Sequence, residues 1–324
     1  IRITSKLQKF GYKLDVKEVF DNGTLKRIAS KIRNNQTQVN QNPIYGDVPL
    51  IPIQHMFFEQ NLVNEHHWNQ AVMLFNENGF KEQLLEEVFR QIVIHHDALR
   101  MAFKKENNKI TQFNRGIEQA DFVVLNTYDY REDNQPEERI TEKCNQIQSS
   151  IDLEKSPLVK LALFKTGNGD HLLITIHHLV IDGVSWRILL EDFSEGYSQL
   201  FKGEKIEFQA KSNSFKEWAE YLQNQVKTTD IQEEFQYWNQ IEECKVKLLP
   251  SDYSYGEEYN KLKYSKEVII GFNEEETEVL LKKSNKAYNT EINDLLITAL
   301  GLALKEWTSE EKILINLEGH GREV

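Results

Sequence analysis

The chain has 324 residues, 40% of them hydrophobic and 28% charged, a globular balance with length enough for two compact units. Its 39 basic and 51 acidic residues leave a net charge of −12 with no basic tract, which argues against nucleic acid as a partner. No run approaches the ~18 consecutive apolar residues that a membrane span requires. Cys144 and Cys244 stand far apart and outside metal-ligand spacing, so reduced thiols, no metal and a cytoplasmic location are expected.

Residues 1–33 place Leu7, Phe10, Leu14, Val19, Phe20, Leu25, Ile28 and Ile32 at helical spacing, with Thr24 as N-cap of the last helix. The opening Ile1-Arg2-Ile3-Thr4 lacks an initiator Met and a secretion-signal layout, and reads as a cut from a longer chain. Residues 34–47 turn polar and Asn/Gln-rich, with Pro43 and Gly46, which is linker chemistry. From Val48 the chain becomes a mixed α/β body. Phe80 to Met101 reads as an amphipathic helix with Leu84, Val88, Ile92 and Leu99 on one side. Leu158–Lys165 and His171–Leu179, separated by Gly167-Asn168-Gly169-Asp170, read as a β-hairpin. Helices are expected over Ser185–Phe201, Phe215–Gln225, Ile231–Ile241, Glu274–Ala287 and Glu291–Trp307, and strands over Tyr264–Phe272 and Lys312–Leu317.

Two stretches carry chemistry. His177-His178-Leu179-Val180-Ile181-Asp182-Gly183 puts two imidazoles at the end of an apolar strand, before an Asp-Gly turn and a helix. Neighbours on a strand point to opposite faces, so His177 and His178 make a poor metal pair. One can look into a cleft while the other packs inside. An isolated His-His pair reads as structural, but the whole spacing between a strand and a helix favours a site. Gly183 permits a sharp change of direction, and Asp182 stands where a carboxylate can anchor the strand end. The second stretch, Glu318-Gly319-His320-Gly321-Arg322-Glu323, sets a carboxylate directly after an apolar run, with glycines that suit close approach to the backbone.

The remaining candidates have plainer readings. His66, His95 and His96 are read as loop or helix-surface residues, and Trp68, Trp186, Phe57 and Phe58 as core. Arg100 is expected to reach a carboxylate such as Asp182 in a buried ion pair that fixes geometry without doing chemistry.

Taken together, the stretches resemble the epimerization domain of nonribosomal peptide synthetases, within the condensation-domain superfamily. Pro52-Ile53-Gln54-His55-Met56-Phe57 is similar to the family's PIQxWF opening, with Met56 where Trp is usual. His177 to Trp186, HHLVIDGVSW, resembles its histidine motif. Asp294 to Gly301 resembles DxLLxAxG, with Ile297 for the second Leu. His66-His67-Trp68-Asn69-Gln70 and Glu318 to Glu323, EGHGRE, resemble epimerization-type rather than condensation-type sequences. Residues 1–33 are similar to the C-terminal part of a peptidyl carrier protein, whose phosphopantetheine serine would lie just before Ile1.

The resemblance implies an α/β fold of two chloramphenicol-acetyltransferase-like lobes. Residues 1–33 would be an all-helical carrier remnant, 34–47 a linker, 48–230 the first lobe and 231–324 the start of an incomplete second lobe. It also implies L-to-D epimerization at the Cα of an aminoacyl or peptidyl thioester on a 4′-phosphopantetheine arm, without pyridoxal phosphate or metal. His178 and Glu318 would be the catalytic pair, and His177, Asp182, Gly183 and Arg100 would be structural. Implied partners are the carrier protein, an upstream adenylation domain and a downstream condensation domain, with antibiotic or siderophore synthesis as the setting. A condensation domain forming the amide bond would share HHxxxDG. An inactive docking module is the non-enzymatic alternative, against which the presence of His178 argues.

Overall fold

The computed structural model describes residues 39–319 except 108, 119–122, 156, 227, 228, 255, 257, 258 and 260, and, before residue 39, positions 3, 7, 11–14, 18, 19 and 24–34. The chain divides into two compact units, one within residues 1–228 and the other Thr229–Gly319.

The first unit starts with the short strand β1 (Tyr12–Lys13), helix α1 (Leu25–Lys31) and β2 (Arg33–Asn34), which pairs with β1. Thr24 caps α1 as expected, its side chain accepting from the Arg27 amide at 3.4 Å. The Asn/Gln-rich stretch that follows is tied down from residue 41 onward. Gln41 exchanges hydrogen bonds with the Lys211 backbone, and β3 (Gly46–Val48) pairs with a later strand.

Next come α2 (Pro52–Glu59), a 3₁₀ turn at Glu65–His67, β4 (Asn69–Asn76) and α3 (Glu82–His95). Helix α3 buries Leu85, Val88, Phe89, Ile92 and Val93, the i, i+3, i+4, i+7, i+8 stripe of a core-facing helix. It stops earlier than its periodicity predicts. Asp97–Arg100 tightens into a 3₁₀ turn and Met101 already belongs to β5 (Met101–Glu106), which pairs with β6 (Lys109–Asn114). The physical cause is Arg100, whose guanidinium bends back and donates to the carbonyls of Val93 and Ile94 in the last turn of α3.

The main sheet has strand order β4-β9-β8-β7, built from β7 (Leu125–Asp129), β8 (Val159–Thr166) and β9 (Gly169–His177) alongside β4. Strands β8 and β9 form the expected hairpin, with Thr166 opposite Gly169. Gly169 has a φ of +135°, and a Cβ there would lie 2.7 Å from the Asn76 carbonyl oxygen, so glycine is required for β4 to close over the turn. Strand β9 is buried on both faces, Leu172, Ile174 and Ile176 on one and Leu173, Thr175 and His177 on the other.

Helix α4 (Pro136–Gln148) lies against β8, and α5 (Gly183–Phe201) packs on α3. The α3–α5 contact is close at Gly196, where a Cβ would come 2.8 Å from Val88. Helix α6 (Phe215–Gln225) closes the unit, opened by a capping box between Ser214 and Glu217.

The second unit is helical among its described residues. Helix α7 (Thr229–Glu242) and the 3₁₀ turn Leu262–Tyr264 precede α8 (Glu274–Glu278). The chain then continues through a π-helical turn, Val279–Ser284, into α9 (Asn285–Tyr288), with α10 (Ile292–Thr308) after it. The strands expected at Tyr264–Phe272 and Lys312–Leu317 are absent among these residues. β-propensity by itself leaves backbone groups unpaired, and a strand forms only where a ladder partner satisfies them. Here Val268, Ile269 and Ile270 are each more than 85% exposed.

Candidate active site

His177 is the buried member of the pair, at 0% exposure. Its Nε2 lies 2.8 Å from the Glu65 carbonyl oxygen and its Nδ1 accepts from the Leu179 amide at 3.1 Å. A carbonyl only accepts and an amide N–H only donates, so the ring is neutral with its proton on Nε2. Burial, together with the nearby His178 and His66, pushes it down to about 4, against the opposing effect of the Glu65 carbonyl. Both nitrogens are occupied inside the protein. His177 therefore joins the end of β9 to the Glu65 turn and has no nitrogen left for a substrate.

His178 is half-buried and lies one residue beyond β9, its backbone amide continuing the ladder to the Trp68 carbonyl at 2.8 Å. Its Nδ1 donates to the Ile181 carbonyl at 2.9 Å, which assigns the ring proton to that nitrogen. Its Nε2 lies 2.9 Å from the side-chain nitrogen of Gln70, whose oxygen accepts from the Trp186 indole N–H at 2.8 Å. The β4–β9 register puts Gln70 opposite Ile176, so Gln70 is the diagonal neighbour of His178 on the same face. Such an imidazole offers one lone pair, on Nε2. That lone pair accepts from the Gln70 NH2, so a substrate proton reaches Nε2 only by displacing a side-chain amide, whereas His177 is held by two backbone groups.

Asp182 is the N-cap of α5, accepting from the Ser185 amide at 2.6 Å. Gly183 opens that helix with an ordinary φ, and a Cβ there would meet nothing within 4 Å. The glycine is thus not required by a left-handed turn, contrary to the expectation from its position after Asp182.

The expected pairing of Arg100 with Asp182 is wrong. All five guanidinium N–H groups of Arg100 are taken: by Arg115 O, Val93 O, Ile94 O, Ile44 O and the Asp97 carboxylate. A carboxylate three residues away on the same 3₁₀ turn outcompetes one that capping holds at the head of α5.

Glu318 is exposed in an irregular segment of the second unit, and His320 to Glu323 lie outside the described residues. His178 and Glu318 thus belong to different units, each with its own surroundings.

The readings of Trp68, His95 and His96 also change, whereas His66 lies on the Glu65–His67 turn, a loop residue as expected. Trp68 is 49% exposed, a rim residue and not core, whereas Phe57 and Trp186 are buried as expected. His95 and His96 are half-buried where α3 meets α5. The His96 Nε2 lies 2.7 Å from Asp192, and burial, followed by the neighbouring His96, lowers His95 to about 4. Among the described residues, His95, His96 and Asp192 form the one cluster with three metal-ligand atoms within 4.8 Å of one another. His66 is half-buried, and its Nδ1 accepts from the Leu153 amide at 3.1 Å.

Asp192 has no signal of its own in the sequence, and Gln70 appears there only as the last residue of the His66-His67-Trp68-Asn69-Gln70 stretch, with no role attached. Gln70 stands out only once the β4–β9 register is known, and Asp192 only once two helices pack.

The sheet, the paired histidines at its end and the capped helix after them have the fold of condensation and epimerization domains. The condensation-domain family profile matches residues 44–324, and the chain belongs to that family. It is 45% identical over its whole length to tyrocidine synthase 2 of Brevibacillus parabrevis and 44% identical to gramicidin S synthase 1 of Brevibacillus brevis. It spans 9% and 29% of the lengths of those proteins. Among solved structures, the epimerization domain from the third module of tyrocidine synthetase B matches with 48% identity and a TM-score of 0.82. That match covers 87% of this chain and 64% of the other. The first condensation domain of the calcium-dependent antibiotic synthetase matches with 18% identity and a TM-score of 0.61, over 83% of this chain and 62% of the other, a likeness of fold alone. No helix among the described residues is long and apolar enough to cross a membrane.

Proposed function

We propose that this chain epimerizes, from L to D, the Cα of an aminoacyl or peptidyl group held as a phosphopantetheine thioester during nonribosomal peptide synthesis. The observation that carries this reading is the contrast in sequence likeness: 48% identity to an epimerization domain against 18% to a condensation domain. The EGHGRE motif beginning at Glu318 supports it. Condensation remains the second reading, because the family match and the HHxxxDG spacing serve both.

His178 and Glu318 are assigned as the acid–base pair. A thioester acidifies the α-hydrogen, and a base breaks the Cα–H bond, leaving an enolate whose oxygen needs stabilisation. Return of a proton to the opposite face completes inversion, so two groups are required. The lone pair on His178 Nε2 suits proton acceptance, and the Ile181 carbonyl steadies the ring through Nδ1. The thioester is itself the activating group, so the chemistry calls for neither pyridoxal phosphate nor a metal. In this reading residues 1–33 are a carrier remnant. The partners are a carrier protein and the adenylation and condensation domains of the same synthetase, and the location is cytoplasmic.

The test loads the full-length protein with an aminoacyl-pantetheine thioester deuterated at Cα. Loss of label with appearance of D-product supports epimerization, whereas retained label and a new amide bond identify condensation. His178→Ala and Glu318→Gln are each expected to lower wash-out by about 10²–10⁴-fold. Retention of full wash-out by both overturns the site assignment.

A further inference from the structure

We propose that Gln70 is a positioning residue that keeps His178 Nε2 as a proton acceptor, with Trp186 setting the direction in which Gln70 points. The inference rests on the acid–base reading of His178. It follows from the donor and acceptor roles along one chain of hydrogen bonds.

The indole Nε1–H of Trp186 can only donate, so the end of the Gln70 amide that faces it, at 2.8 Å, is the carbonyl oxygen. The other end is then the NH2, which also only donates. It stands 2.9 Å from His178 Nε2, so that nitrogen must present its lone pair. From the opposite side, the Ile181 carbonyl only accepts, and it lies 2.9 Å from Nδ1, which must carry the proton. Two independent constraints thus select the same tautomer. The chain runs in one direction, Trp186 to Gln70 to His178 to Ile181.

The supports are rigid. Trp186 is 8% exposed on α5. Gln70 sits on β4 opposite Ile176, in a ladder that pairs all eight residues of the strand with β9. A proton on Nε2 would face the NH2 of Gln70, and turning the amide over would set its NH2 against the indole N–H. His178 therefore begins the cycle with its lone pair on Nε2, held by the Gln70 amide, which must give way as that nitrogen takes the substrate proton.

The experiment combines nitrogen-15 NMR of the histidine rings, His178 being assigned by its loss in His178→Ala, with wash-out rates across pH in the full-length protein. In the wild type, His178 should show a protonated Nδ1 and a bare Nε2 near neutral pH. Gln70→Glu replaces the NH2 with an acceptor that Trp186 still orients, so Nε2 should become protonated. Its wash-out should fall about 100-fold at neutral pH and recover as pH rises. Gln70→Met keeps the volume without the hydrogen bonds and should lose about 10-fold with an unmoved pH profile. Trp186→Phe, which frees Gln70 to turn its carbonyl toward Nε2 while the Ile181 carbonyl still holds Nδ1–H, should raise the fraction of rings protonated on both nitrogens, and serves if Gln70→Glu does not fold. Equal losses in Gln70→Glu and Gln70→Met with an unchanged tautomer would show a merely structural role and overturn the proposal. A protonated Nε2 in the wild type would do the same. If His178→Ala keeps full wash-out, the acid–base reading fails while the ring spectra still decide the role of Gln70.

Discussion

Arg100 and Asp97 form an ion pair on a single 3₁₀ turn in which the side chains are 0% and 7% exposed. The same carboxylate accepts from the Ile44 amide at 2.9 Å and from the Lys211 ammonium at 3.1 Å. One buried cluster thereby joins the end of α3, the segment before β3, and the stretch leading to α6.

Removing Arg100 strips the buried Asp97 carboxylate of one of its two cationic partners and leaves the carbonyls of Val93, Ile94, Ile44 and Arg115 without their donor. Arg100→Met should therefore destabilise the first unit by about 3–5 kcal/mol, read as a lower urea midpoint. Asp182→Ala, which loses a helix cap, should cost about 1 kcal/mol. If the two losses came out in the reverse order, the assignment of Asp97 as partner would be mistaken.

His177 predicts a pH dependence of stability. A histidine in the unfolded chain titrates near 6.5, whereas burial holds His177 at about 4, so between these values the unfolded chain binds the extra proton. Stability is complete above pH 6.5 and declines as pH falls toward 4, by about 3 kcal/mol in all. Half-buried His95 acts in the same direction. Urea midpoints at pH 7 and pH 5 should differ less in His177→Asn than in the wild type. An identical difference in both proteins would mean that His177 titrates normally.

Two glycines separate fold from function. Gly169→Ala meets the Asn76 carbonyl at 2.7 Å with a φ of +135°, and should destabilise by about 1–3 kcal/mol in thermal melts. Gly183→Ala meets nothing within 4 Å and should melt like the wild type. A Gly183→Ala protein that is stable yet impaired in wash-out would mark that face as one a ligand approaches. Unchanged wash-out would show that nothing binds close to residue 183.

Much of this was legible in the residues alone. The apolar stripe of α3, the β8–β9 hairpin and the Thr24 cap follow from local spacing, because periodicity and capping are set within a few residues. The strands expected at Tyr264–Phe272 and Lys312–Leu317 failed for the opposite reason. A strand depends on a partner that its own sequence does not specify.

The sequence by itself determined the family and singled out the paired histidines, since HHxxxDG between a strand and a helix is a local pattern. Only the tertiary structure decided what each histidine does. His177 is closed off by the Glu65 carbonyl and the Leu179 amide, while His178 keeps a lone pair that Gln70 faces from a neighbouring strand. The difference lies in donors and acceptors that are 108 to 112 positions away along the chain, and hydrogen-bond direction at such separations exists only once β4 and β9 are in register.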